Sequence, residues 1–378
     1  MQNLTLKEIL IKYEAGECTE EQEAIVETFY LQLPANGEET LSDIELIEAV
    51  DRVGSSLPVQ IGPGKRVQLW PRMVAAAVLL ISLGITGYLV FKPKIESNQI
   101  AKKQQTIIPG RKQATLTLAN GQKIILTKGM SGQLARQGGI TIGLDNQNAV
   151  AYSSSNSNEN TTTVFNTLST SIGEQSPYPL VLSDGTKVWL NAASSIKFPI
   201  SFAGLNQRVV ELTGEGYFSV NHNENIPFKV ITRNQVTEDV GTEFNIEAYD
   251  DVVATRTTLV KGAIKVITGS NIIMLKPGQQ AVANKEILFT EVNVDDVIAW
   301  KNGYFQFEDE TLENIMRSIS RWYNVQINFT DNGLKKDRYG LVATRLTDIS
   351  VLLKQIEDSG NAHFKLEGET IIVSQKNK

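Results

Sequence analysis

The chain has 378 residues, 41% of them hydrophobic, a net charge of −6 and a single cysteine. One cysteine excludes a disulfide framework, and the lack of basic patches interleaved with aromatic residues excludes a direct nucleic-acid surface. The average conceals a split: residues 1–60 carry thirteen Asp and Glu against Lys7, Lys12 and Arg52, a net −10, which leaves +4 for the remainder.

Three capping boxes of the form Ser/Thr-x-x-Glu/Gln, at Thr5 to Glu8, Thr19 to Gln22 and Ser42 to Glu45, mark helix starts in the acidic part. Each precedes apolar residues at helical spacing: Ile9, Leu10 and Tyr13, then Ile25, Val26, Phe29, Tyr30 and Leu33, then Ile44, Ile47 and Val50. The expectation is a small all-α domain over residues 1–60, with a core thin enough to need completion by a partner. Met73 to Phe91 follows, nineteen residues without a charge. At ~1.5 Å per residue this run spans about 28 Å as a helix, close to the roughly 30 Å hydrocarbon core of a bilayer. A single transmembrane helix over 73–91 is therefore expected, with Trp70 and Tyr88 near its ends and Arg72, Lys92 and Lys94 bracketing it. The 72 residues before it argue against a cleaved signal peptide. Lys65, Arg66 and Arg72 on one side face Lys92, Lys94, Lys102, Lys103 and Arg111 on the other, so flanking charge alone leans against a cytoplasmic amino terminus.

From about residue 105 to 292 the pattern becomes short alternating apolar runs broken by Gly, Asn and Asp, which predicts a mostly antiparallel all-β domain. Leu116–Leu126 (LTLANGQKIIL) and Leu180–Leu190 (LVLSDGTKVWL) repeat one pattern, and each reads as a hairpin closed by a tight two-residue turn at Asn120-Gly121 or Asp184-Gly185. Ser153–Thr163 (SSSNSNENTTT) is polar and of low complexity, the composition of a mobile loop. Over 299–376 strands alternate with helices at about Thr311–Tyr323 and Asp348–Ser359, which predicts an α+β domain in two βαβ-like halves.

Residues able to form a catalytic constellation are sparse. His222 and His363 are the only histidines and read as structural or surface groups, and Cys18 has no Cys-His partner arrangement. Glu211, Glu215, Glu243 and Glu247 could form a carboxylate pair of the glycosidase kind, but their alternation along strands favours a solvated face. No phosphate-binding glycine loop or dinucleotide fingerprint occurs, and neither cofactor nor metal is expected. One dipeptide keeps chemical potential: in VGTEF, the Thr242 hydroxyl could attack the Gly241 carbonyl through an N-to-O acyl shift if the turn is strained. The other reading is that Gly241 fits a bend.

In order along the chain, LVLSDGTKVWLNAASSIKFP (Leu180–Pro199), RVVELTGEGYFSV (Arg208–Val220), PFKV (Pro227–Val230), VGTEFNIEAY (Val240–Tyr249), TLVKGAIKV (Thr258–Val266) and PGQQA (Pro277–Ala281) resemble the FecR family of anti-sigma regulators, in its Bacteroidetes form. The tail from Trp300, with Phe307, Leu312, Ile315 and Arg321-Trp322-Tyr323, is similar to the STN-like domain that ends such proteins. The resemblance implies an inner-membrane signal transducer with a cytoplasmic amino terminus and a periplasmic carboxy-terminal part. Its residues 1–60 would bind an extracytoplasmic-function sigma factor, and its outer part would meet the signalling domain of a TonB-dependent outer-membrane receptor. It implies no small-molecule substrate, and some relatives cut themselves at a Gly-Thr bond in this block. The chain departs from the family where Phe29 and Tyr30 replace a frequent tryptophan, and at Gly216 and Ser219. Two rival functions remain: a membrane-anchored periplasmic adhesion or cell-wall-binding protein, and a membrane-tethered hydrolase using Glu215 or Glu243.

Overall fold

A computed structural model describes residues 107–376 apart from 138, 146–148 and 155–163. Alternating burial, as in Arg208–Ser219 with every other residue buried over most of its length, builds nineteen strands among the described residues before 292. They are β1 (Arg111–Thr117), β2 (Lys123–Thr127), β3 (Gln133–Gln137), β4 (Ile140–Leu144), β5 (Val150–Ser154), β6 (Phe165–Thr170), β7 (Glu174–Gln175), β8 (Leu180–Val181), β9 (Lys187–Leu190) and β10 (Ser194–Pro199). After these come β11 (Arg208–Ser219), β12 (Phe228–Ile231), β13 (Val236–Asp239), β14 (Glu243–Ala248), β15 (Thr255–Lys261), β16 (Ile264–Thr268), β17 (Asn271–Leu275), β18 (Gln279–Ala283) and β19 (Ile287–Glu291).

Two ladders share the long strand β11. Its first half pairs with β10 and, in parallel, with β12; its second half pairs with β9 and β14. The strand changes ladder at Gly214, where φ is +86° and an added Cβ would lie 2.4 Å from Ser194 Oγ, so only glycine fits. One apolar core joins both ladders, with Leu116, Leu168, Ile196, Val210 and Val230 from one and Val150, Leu190, Phe218, Phe244 and Leu259 from the other.

Both repeated segments are hairpins, β1–β2 and β8–β9, but their loops differ from the expectation. Leu118 N donates to Gln122 O and Gly121 N to Leu118 O, and the same pair of bonds links Leu182, Gly185 and Thr186. Each loop therefore has three residues, and only the glycine has positive φ, +83° at Gly121 and +87° at Gly185. Asn120 and Asp184 instead accept the backbone N–H two residues on, which favours a type I turn followed by a left-handed glycine. Ser153 and Ser154 finish β5, and the rest of the polar stretch lies outside the described residues.

A short helix α1 (Val294–Ile298) and a 3-10 turn at Ala299–Asn302 lead into β20 (Tyr304–Thr311), α2 (Leu312–Tyr323), β21 (Gln326–Phe329), β22 (Arg338–Thr344), α3 (Ile349–Ser359), β23 (Ala362–Glu367) and β24 (Thr370–Gln375). Leu312, Ile315, Met316, Ile319 and Trp322 of α2 and Ile349, Leu352, Leu353 and Ile356 of α3 enter one core. The pairing corrects the expectation of two βαβ-like halves: β20 pairs antiparallel with β22, and β21 pairs parallel with β24, which also pairs with β23. Neither helix connects strands that are neighbours in a sheet, because apolar spacing places a strand without choosing its partner.

The fold reading as a whole is corrected as well. The described chain is β-rich, its longest helix is the 12-residue α2, and among the described residues no helix is long and apolar enough to cross a membrane. The all-α domain over 1–60 and the membrane helix over 73–91 lie outside the described residues and form no part of the described fold.

Candidate functional site

Between β13 and β14 the chain turns through Val240, Gly241 and Thr242. Gly241 has φ +96°. The Asp239 carboxylate closes the turn: its Oδ1 accepts the Gly241 N–H at 2.8 Å and the Thr242 hydroxyl. Asp239 Oδ2 is buried without a hydrogen bond, and His222 Nδ1 stands 3.9 Å from it. Thr242 is 4% exposed, and its carbonyl accepts Val220 N–H at 2.9 Å. Gly262, at φ +90°, presses against the same peptide, since a Cβ there would lie 2.1 Å from Gly241 O. The two predicted residues thus sit in a tight turn in which Thr242 is buried, Gly241 is half-buried and a carboxylate holds the threonine hydroxyl.

A second site lies where the β strands meet the carboxy-terminal elements, around a cavity of about 650 Å³. Glu215 and Glu247 are directly opposed on β11 and β14 and face it. Glu215 Oε2 accepts from Asn191 Nδ2 at 2.6 Å and Oε1 from Asn245 Nδ2 at 3.0 Å. Both amides therefore turn their oxygens to the other side. Asn191 Oδ1 accepts Arg345 Nη1 at 2.8 Å, and Asn245 Oδ1 accepts Trp300 Nε1 at 3.1 Å. Arg345 is buried between the Phe305 and Trp322 rings, 5.0 and 4.8 Å from their centroids. Tyr249 donates to Ala192 O at 2.9 Å, while the Arg321 guanidinium covers its ring and pairs with Asp251 at 2.7 Å.

Burial, and then the neighbouring Glu247, push the Glu215 carboxyl up to about 7. Burial lowers Arg345 to about 10. Both Glu215 oxygens are taken and Glu247 pairs with Arg256 at 3.2 Å. Glu215, through Asn191 and Asn245, ties the β strands to Arg345 and Trp300 of the carboxy-terminal elements.

The solvated-face reading thus holds for Glu211, which pairs with Lys197 at the surface, and fails for Glu215. Alternation assigns a face but cannot show that another part of the chain covers it. Glu243 accepts the Tyr217 hydroxyl. His363 lies 3.1 Å from Glu357, whereas His222 stands at the Gly241–Thr242 turn. Cys18 lies outside the described residues, and among those described no group of three or more His, Cys, Asp or Glu could hold a metal. Asp239 and Arg345 were missed by sequence reasoning. Asp239 had a readable signal, an Asx-turn spacing two residues before Gly241; Arg345 had none.

Residues 166–265 match the FecR protein family and residues 304–373 the FecR C-terminal family. The chain carries a FecR domain and a FecR C-terminal domain. Two crystal structures, at 1.65 and 2.50 Å, of a Parabacteroides distasonis protein described as a "putative anti-sigma factor" align with this chain at 26% identity and a TM-score of 0.52. The alignments cover 56% of this chain and 99% and 100% of those. Among curated proteins, none matches. Asp239, Gly241, Thr242 and Glu215 fall inside the FecR match and Arg345 inside the FecR C-terminal match, so the cavity network links the two.

Proposed function

We propose that the protein is an anti-sigma factor and signal transducer that restrains an extracytoplasmic-function sigma factor through residues 1–60. The observation that carries this reading is the pair of FecR matches together with likeness to the Parabacteroides protein over 99% of that chain's length. A sigma factor must offer basic surface to promoter phosphates, and a segment of charge −10 is suited to occupy it. In this reading the amino terminus is cytoplasmic and the described part is periplasmic. There β23, which among the described residues pairs only with β24, offers a strand edge to the signalling domain of a TonB-dependent receptor. The chain also cuts itself once, between Gly241 and Thr242, supported by the buried hydroxyl–carboxylate contact and the positive φ of Gly241.

Residues 1–70 co-purify with the sigma factor if the reading is right. No sigma binding, with glycan binding by the described part, would establish the adhesion alternative instead. A reporter fused after residue 100 and active only in the periplasm reports orientation. On a denaturing gel the full chain gives two fragments and Thr242→Ala gives one band; a single band from both removes the cleavage.

A further inference from the structure

We propose that Asp239 is the base of this cleavage, taking the Thr242 hydroxyl proton as Oγ1 attacks the Gly241 carbonyl carbon. The inference rests on the cleavage reading and adds the group that makes it chemically possible. A threonine hydroxyl is a weak nucleophile until a neighbouring group removes its proton. Asp239 Oδ1 is the acceptor of the Thr242 hydroxyl, and the same oxygen holds the Gly241 N–H at 2.8 Å, so one carboxylate fixes the residues on both sides of the scissile bond. Its second oxygen has spare capacity. Oδ2 is buried without a hydrogen bond on a side chain 1% exposed, with His222 Nδ1 3.9 Å away across the turn.

The surroundings hold the reacting groups still. Val220 N–H fixes the Thr242 carbonyl at 2.9 Å. Gly262 lies so close to the Gly241 carbonyl oxygen that any side chain there would displace it. In the step itself, Oγ1 bonds to the Gly241 carbonyl carbon while its proton passes to Asp239. The Gly241–Thr242 C–N bond then breaks, and the departing amine takes that proton back. The product is an ester between Gly241 and the Thr242 oxygen. One water hydrolyses it to a Gly241 carboxylate and a Thr242 with free hydroxyl and free amine, so atoms and electrons balance without another reactant.

A hydrogen-bonded turn alone would account for the same contacts, and Asp239→Asn separates the two roles. Asparagine keeps an oxygen to accept from Gly241 N–H and Thr242, yet is not a base. Full-length chain is made by pulsed cell-free synthesis, fragments are followed by denaturing gel, and a new amino terminus at Thr242 is read by mass spectrometry. The expected result is that D239N melts at the wild-type temperature while fragments form roughly 10²–10⁴-fold more slowly, the range for a lost acid–base group. Hydroxylamine should trap Gly241 as a hydroxamate in wild type and not in D239N. If D239N fails to fold, Asp239→Ser, whose hydroxyl also closes such turns, replaces it with the same expectation. Wild-type rates in D239N, with Thr242→Ala intact, would overturn the role of Asp239 and leave the cleavage standing. An intact wild-type chain at all times would overturn both.

Discussion

Glu215→Gln tests the link between the β strands and the carboxy-terminal elements. Folding lifts the Glu215 carboxyl from 4.5 to about 7, chiefly because burial disfavours its charge. Below pH ~4.5 the folded and unfolded chains both hold the proton and the group adds no pH dependence. Between ~4.5 and ~7 the folded chain keeps a proton that the unfolded chain releases, so stability falls as pH rises, and above ~7 the fall ends. At about 1.4 kcal/mol per pKa unit, the loss is of order 3 kcal/mol. Glutamine removes that slope. It adds a constant cost instead, because its NH2 must face Asn191 or Asn245, each already donating to Glu215. Neither amide can flip without costing Arg345 its 2.8 Å bond or Trp300 Nε1 its acceptor, which makes the cost about 1–3 kcal/mol. Urea unfolding followed by tryptophan fluorescence, at several pH values from 4 to 8.5, gives the wild-type minus E215Q difference. Wild type should be the more stable at pH 4 to 5, with the gap narrowing by roughly 2–3 kcal/mol as pH passes 7. A difference that stays flat across this range would refute the assignment of an enclosed, proton-holding Glu215.

Three further outcomes follow from the same geometry. Arg345→Met loses the bonds to Asn191 and Gln175 and should cost about 1–3 kcal/mol in urea unfolding; because Arg345 lowers the Glu215 carboxyl, its removal should also carry the fall in stability above pH 7. Gly262→Ala places a Cβ on Gly241 O at a positive φ and should lower the melting temperature, with a penalty of at least ~1–3 kcal/mol. Phe244→Ala empties a fully buried site stacked on Phe218 at 5.1 Å, and a loss of about 3–5 kcal/mol is expected by denaturant titration.

Local rules made much of the chain legible. Ile315, Ile319 and Trp322, or Ile349, Leu352, Leu353 and Ile356, lie three and four residues apart and enter the core from α2 and α3. The two Gly-closed repeats are hairpins, although type I turns capped by Asn120 and Asp184 replaced the expected two-residue turns. The ordered FecR blocks pointed to the FecR domain, because several motifs in register are far more specific than any one strand.

What the sequence determined by itself was therefore the β-rich character of residues 107–292, the two repeated hairpins, and the helices and strands after residue 303, since helix and strand periodicity and turn chemistry act over a few residues. The tertiary structure alone decided that β20 pairs with β22 and β21 with β24, that Glu215 lies enclosed against Asn191 and Asn245, and that Arg345, 154 residues from Asn191, reaches it. Those outcomes depend on which surfaces meet after long loops close. No local pattern encodes that choice, and it turned a strand carboxylate that alternation assigned to solvent into the hub of a buried polar network.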